Sequence, residues 1–198
     1  MLSCVSKPLE NFFFKHIFNR LEENKLLCKF QSGFLPGCST THHLVELDHI
    51  ILLALESKQF TSVSFVDISK AFDTVWIKGL LLNLEKYGIG DNLFIWLNSY
   101  LSNRTHNVVI EDYLSSIGQL KAGVPQWSVL GPLLFLVVIN DIADGMTGLC
   151  RLFADDTSIG HIANDKDSLQ IMVNLDLVYL NAPETQNFIS IFTLRVLH

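Results

Sequence analysis

Charge is scarce in this chain of 198 residues. Only 17% of them are Asp, Glu, Lys or Arg, and 14 basic against 20 acidic side chains give a formal net charge of −6. So few basic groups argue against a free-standing nucleic-acid binder, because phosphate binding rests on Lys and Arg. Cysteine is scarce too. Cys4, Cys28, Cys38 and Cys150 show no close pairing and no zinc-type spacing, so they read as reduced intracellular thiols. No apolar run reaches the ~20 residues that a bilayer span requires, and the strongest, Leu133 to Ile139, falls far short. Nor is there a secretory leader, since Phe12-Phe13-Phe14 is soon followed by Lys15, His16 and Arg20. The expectation is an intracellular chain, nuclear or cytoplasmic, without a membrane partner. Internal repeats and low-complexity linkers are lacking, and nothing fixes an oligomeric state.

What the chain does have is apolar residues, at 49%. They suffice for the core of one domain, or of one domain and a fragment, and leave apolar surface that a partner would cover. Phe13, Ile17 and Leu21 recur at helical spacing within a helix expected from Pro8 to Leu27. Two glycines and a proline make 30–39 a loop. A second helix is expected from Thr40 to Lys58, with Leu44, Leu47, Ile51 and Leu55 as its buried stripe and Ser39 or Thr40 as its cap. His42 and His43 read as its polar first turn, not as metal ligands, for want of further ligands nearby.

The period then changes. Thr61 to Asp67, with Val63, Phe65 and Val66, reads as a strand ending on an aspartate. A turn from Ser69 to Thr74 leads to a helix over Ile77 to Tyr87 that Gly88 closes. Asp91 is expected to cap a helix through Leu101, with Leu93, Trp96, Leu97 and Tyr100 facing inward. Thr105 to Glu111 and Ser116 to Lys121 read as a strand pair. A loop from Gly123 to Gly131 precedes a short apolar helix that Pro132 starts. Asp165 to Leu180 is a last helix, striped by Leu169, Met172, Val173 and Leu177.

The stretch that organises the rest is Phe153-Ala154-Asp155-Asp156. Strand-like runs on either side make it a hairpin with carboxylates at its tip. Adjacent carboxylates are costly to bury without a cation, so the pair is either solvated or metal-bound. Aspartate suits turns, and alone the pair favours the solvated reading. If neighbouring strands bring Asp67 to Asp155, the product is a carboxylate cluster able to hold two divalent cations.

Five stretches in series resemble one family. Phe65-Val66-Asp67-Ile68-Ser69-Lys70-Ala71-Phe72-Asp73 is similar to the first catalytic motif of reverse transcriptases from non-LTR (LINE-type) retrotransposons. Gly123-Val124-Pro125-Gln126, continued by Ser128 to Phe135, resembles their nucleotide-pocket motif, and Phe153 to Asp156 resembles the third catalytic motif. Gln31 with Gly33-Phe34 and Gly37, then Ser39-Thr40, resembles the fingers motif. Tyr100-Leu101-Ser102-Asn103-Arg104 matches the segment between the first two catalytic motifs. The resemblance covers residues 5 to 180, in order.

It implies an α+β fold: a reverse-transcriptase-like palm, with a small antiparallel sheet and helices on one face, plus partial helical fingers. The expected division is 1–60 fingers, 61–163 palm, and 164–198 a shortened palm end with no thumb following. The implied activity is RNA-directed DNA synthesis from an RNA template, a DNA primer and deoxynucleotides, with two Mg²⁺ ions. Asp67, Asp155 and Asp156 would be catalytic, and with the Ile68 carbonyl they would hold the metal. Phe72 would lie under the incoming sugar and exclude a 2′-hydroxyl; without the motif it reads as a core aromatic. Gln126 would contact nucleotide or template; by itself it is a loop glutamine. Arg104 reads equally as a surface arginine or as a group approaching nucleic acid.

Three departures stand out. Trp127 occupies a glycine position, where an indole would fill the nucleotide pocket or force the loop aside. Basic residues expected near Leu35 and Cys38 are missing. Leu180 to Thr185 skips a segment, with Glu184 at a lysine position. The alternative is therefore an inactive retroelement remnant.

Overall fold

The computed structural model describes residues 5–68, 70–111 and 113–182, and the backbone of 195–197. Ser69, the Pro183-to-Thr185 stretch and Cys4 lie outside the described residues. The chain separates into two compact units, one of Met1–Leu26 with Phe72–Val138, the other of Leu27–Ala71 with Ile139–His198.

The first unit is mainly helical. Helix α1 runs Ser6–Glu23, with Ile17 and Leu21 fully buried and Phe13 stacked on Trp96 at 3.9 Å between ring centroids. A four-residue helix α3, Ala71–Thr74, leads to α4, Ile77–Lys86, which ends before Gly88 at φ +73° as expected. Helix α5 spans Asp91–Leu101. The expected Asp91 cap is not formed: Gly90 holds the N-cap position, no side chain caps the helix, and Asp91 itself sits at φ +54°. Leu97 and Leu101 carry the burial, while Leu93, Trp96 and Tyr100 are half-buried. The expected strand pair resolves into two short ladders. β2 (Thr105–His106) pairs with β5 (Gly118–Gln119), and β3 (Val109–Ile110) pairs with β4 (Tyr113–Leu114). Helix α6, Gly131–Ile139, is apolar on every side, and Leu133 to Ile139 are all buried, as such a helix must be.

The second unit holds the sheet. Helix α2 is Thr40–Glu56, β1 is Phe60–Asp67, β6 is Leu149–Phe153, β7 is Asp156–Ala163, α7 is Lys166–Leu180 and β8 is Arg195–Leu197. The antiparallel order is β6-β7-β1-β8. Side chains alternate across a sheet, so His161 and Ser158 of β7 point to opposite faces. His161 meets Asp176 of α7, and Ser158 meets His43 of α2. The α+β palm-like class holds, but the expected helices on one face do not: α7 packs on one face and α2 reaches the other, because β7 carries His161 and Ser158 to opposite sides.

The stripe of α2 differs from the expected one. Leu47, Ile50 and Ala54 are buried, whereas Leu44 and Leu55 are exposed and Ile51 is half-buried. Apolar residues ring this helix, so period alone does not select the buried face. Ser39 takes the N-cap position without a capping bond. In α7 Leu169 and Val173 are buried as expected, but Met172 and Leu177 are only half-buried, and Asp176 and Leu180 complete the buried face.

Candidate functional site

In the second unit, β1 and β7 set the site. Their register pairs Asp67 with Asp156, at the last ladder position of β1 and the first of β7. Directly opposed residues lie on one face, with Cβ atoms about 4.5–5.5 Å apart, and like charges so placed destabilise the pair. Phe153 pairs with Asp156 across the hairpin, leaving Ala154 and Asp155 as its two-residue tip. Ala154 sits at φ +57°. Burial, followed by the charges of Asp155 and Asp67, raises the Asp156 carboxyl above its ordinary range, and nearby His43 works against this. Ile68 follows with a buried side chain and a carbonyl accepting the Ala71 amide at 3.2 Å.

A cleft of about 420 Å³ opens along this face between α2 and the sheet. Asp67 and Asp156 line it together with Thr40, His43, Phe65 and Phe153. His43, read as a polar first-turn residue, has a second role here: Nε2 lies 2.9 Å from Ser158 Oγ. Burial holds its imidazole below its ordinary pKa.

In kind, the donors fit Mg²⁺, a hard cation that takes carboxylate and carbonyl oxygens. A cation would also relieve the repulsion that raises Asp156. Among the described residues, no three His, Cys, Asp or Glu side chains already converge on one cation position.

The remaining candidates lie in the first unit. Phe72 is half-buried and stacks on Phe135, with ring centroids 5.2 Å apart at 24°. Its carbonyl accepts the Val124 amide at 2.7 Å, joining the first motif to the 123–131 loop. Gly123, at φ +85°, fits where an added Cβ would lie 2.8 Å from the Phe72 carbonyl oxygen. Gln126 Nε2 donates to Asp73 Oδ1 at 2.8 Å. Trp127 is 93% exposed at φ +61°, so it fills no pocket and holds a backbone conformation natural to glycine. Arg104 is a backbone clamp, donating to the carbonyls of Leu101, Ala122 and Gly123.

Sequence reasoning missed Glu10. It is 1% exposed, and Oε2 accepts the Val129 amide at 2.7 Å, holding the loop from beneath. A lone glutamate on an otherwise ordinary helix carries no sequence signal for this.

Comparison with known proteins fits these motifs. Residues 1–181 match the family model described as reverse transcriptase (RNA-dependent DNA polymerase). The chain belongs to the reverse transcriptase family. Its relatives include the RNA-directed DNA polymerase from mobile element jockey of Drosophila melanogaster, 33% identical over 80% of this chain and 18% of that protein. The probable RNA-directed DNA polymerase from transposon X-element of the same species is 34% identical, again over 80% and 18%. The chain thus spans under a fifth of the length of these relatives. The described motifs are those of non-LTR retrotransposon polymerases. In fold, the chain resembles apo telomerase from Candida tropicalis, with a TM-score of 0.67 at 10% identity over 95% of this chain and 36% of that one. No described helix is long and apolar enough to cross a membrane. Cys28, Cys38 and Cys150 are free thiols.

Proposed function

We propose that the chain carries the nucleotidyl-transfer centre of an RNA-directed DNA polymerase, in which Asp67, Asp155 and Asp156, with the Ile68 carbonyl, hold two Mg²⁺ ions. The observation that carries this reading is the pairing of Asp67 with Asp156 at the strand ends, with Asp155 at the adjoining tip. A cation held between them would offset the repulsion of that facing pair. Family membership supports it, since reverse transcriptases use divalent metals and bind a nucleic-acid template. RNA template, DNA primer and deoxynucleotides are the corresponding substrates.

In the reaction, the primer 3′-hydroxyl gives up its proton to water, its oxygen bonds to the α-phosphorus, the bond to the β-phosphate breaks, and pyrophosphate departs. Mg²⁺ held there would supply activation of the attacking oxygen and charge neutralisation on the leaving one. The three carboxylates fix where that charge sits. By the family resemblance Phe72, braced by Phe135, would lie under the incoming sugar and exclude a 2′-hydroxyl. Gln126 gives its amide nitrogen to Asp73 and keeps its carbonyl for nucleotide or template.

A second reading, an inactive retroelement remnant, is favoured by Trp127 at a glycine position with φ +61°. Primer extension on an RNA template separates the two. Mg²⁺-dependent extension that vanishes in Asp155→Asn supports the polymerase. A folded wild-type protein that extends nothing supports the remnant.

A further inference from the structure

The turn that presents Asp155 is not self-sufficient. Ala154 occupies the left-handed region at φ +57°, which costs a non-glycine residue about 1–2 kcal/mol. Such strain persists only where surrounding structure imposes it. Here the imposing structure is the 30–33 segment. The Ser32 amide donates to the Leu152 carbonyl at 2.8 Å, and the Leu152 amide donates to the Phe30 carbonyl at 2.9 Å, laying this segment parallel to β6. Gln31 is 7% exposed, and its Oε1 accepts two amides, Gly33 at 2.6 Å and Ala154 at 3.0 Å. Both partners are donors, so the atom facing them must be the oxygen. Its Nε2 is buried without a hydrogen-bond partner, so the accepting side alone is used. Gly33 allows the approach: a Cβ there would stand 2.0 Å from the Ala154 nitrogen.

We infer that Gln31 is a positioning residue for the carboxylate turn. By holding the Ala154 amide it fixes the left-handed residue that precedes Asp155, and so sets where the Asp155 carboxylate stands relative to Asp67. This rests on the metal-binding reading above. Gln31 acts through one amide.

The test uses the ¹⁵N-labelled chain with Gln31→Met, which keeps shape and loses the acceptor, and Gln31→Glu, which keeps an acceptor. Leu47→Ala, in the core of the same unit, controls for general destabilisation. Hydrogen exchange at Ala154 is read without metal, and Mn²⁺ affinity by relaxation enhancement. In Gln31→Met the Ala154 amide should exchange about tenfold faster than in Leu47→Ala, the worth of one hydrogen bond. Mn²⁺ affinity should fall with it, and Gln31→Glu should restore the protection. Unchanged exchange in a folded Gln31→Met overturns the proposal, as does lost protection with Mn²⁺ affinity equal to the control's. If Gln31→Met does not fold, Gly33→Ala replaces it, and an undisturbed Ala154 signal there overturns the proposal. A wild-type chain that binds no Mn²⁺ refutes the proposed function instead; the exchange arm still decides whether Gln31 holds the turn.

Discussion

Asp176 is a buried carboxylate of the second unit that holds several hydrogen bonds at once. It is 1% exposed and lies on α7, beneath the sheet. One carboxylate oxygen accepts the Thr147 amide at 2.7 Å and the Thr147 hydroxyl at 2.8 Å. The other accepts the Gly148 amide at 3.0 Å and pairs with His161 Nε2 at 2.9 Å. Asp176→Ala leaves His161 Nε2 buried without its partner and takes the acceptor from three further donors, on exposed Thr147 and half-buried Gly148. Breaking a buried pair of this kind costs about 3–5 kcal/mol. Against a total stability of about 5–15 kcal/mol, that is a large fraction. With a urea dependence of about 2 kcal/mol per molar, the unfolding midpoint should drop by roughly 2 M. Asp176→Asn keeps an acceptor for Thr147 but turns an amide toward Gly148 or His161, and should cost about half as much. There is a pH signature as well. Burial alone would raise the Asp176 carboxyl, but the hydrogen bonds from Thr147, Gly148 and His161 outweigh it and hold it below the ordinary range. A carboxyl depressed on folding stabilises fully above its unfolded value near pH ~4, and that stability is lost as pH falls through the folded value. Wild-type stability should therefore fall below about pH 4 more steeply than that of Asp176→Asn. Urea titrations at pH 7 and pH 3.5 check both claims. A midpoint shift in Asp176→Ala worth under about 1 kcal/mol would refute the reasoning.

Other substitutions probe the remaining features. Glu10→Ala removes the acceptor for the Val129 amide and should destabilise the first unit by about 1–3 kcal/mol, read by thermal unfolding. Trp127→Gly loses no packing and relieves a positive φ, so it should leave stability within about 1 kcal/mol of wild type. Nucleotide affinity, measured by fluorescence titration, should rise in the same variant if the indole hinders the loop; equal affinity shows that it does not. Leu44, Leu52 and Leu55 on α2 are 60%, 56% and 63% exposed, so replacing all three by Gln should reduce self-association in sedimentation without lowering stability.

The sequence announced the elements that depend on local chemistry. Gly88 closes α4 and the strand ends on Asp67, each from a short-range signal; the hairpin is there too, but its tip is Ala154-Asp155, one residue before the expected Asp155-Asp156, because Asp156 pairs with Phe153. The proposed site residues, Asp67, Asp155 and Asp156, follow from the family motifs. What stayed hidden depends on contacts far apart in the chain. Of the expected α2 stripe only Leu47 is buried, because Leu44, Ile51 and Leu55 compete with Ile50 and Ala54, and only the sheet decides between them. Asp176 lies outside the expected stripe of α7, because its partners sit 15 to 29 residues earlier. Glu10 and Gln31 act on loops 119 and 123 residues away, and no periodicity marks such pairs. Asp91 looked like a cap from its type, yet its own backbone conformation removes it from that role.

The central claim is that Asp67, Asp155 and Asp156 form one two-cation site. A crystal soaked with Mn²⁺ and a deoxynucleotide, read by anomalous scattering, tests it most directly. The account requires two peaks beside the Asp67, Asp155 and Asp156 carboxylates, about 3.5–4 Å apart as in two-metal sites generally. No peak there, or carboxylates more than about 10 Å apart around a single distant ion, would contradict it.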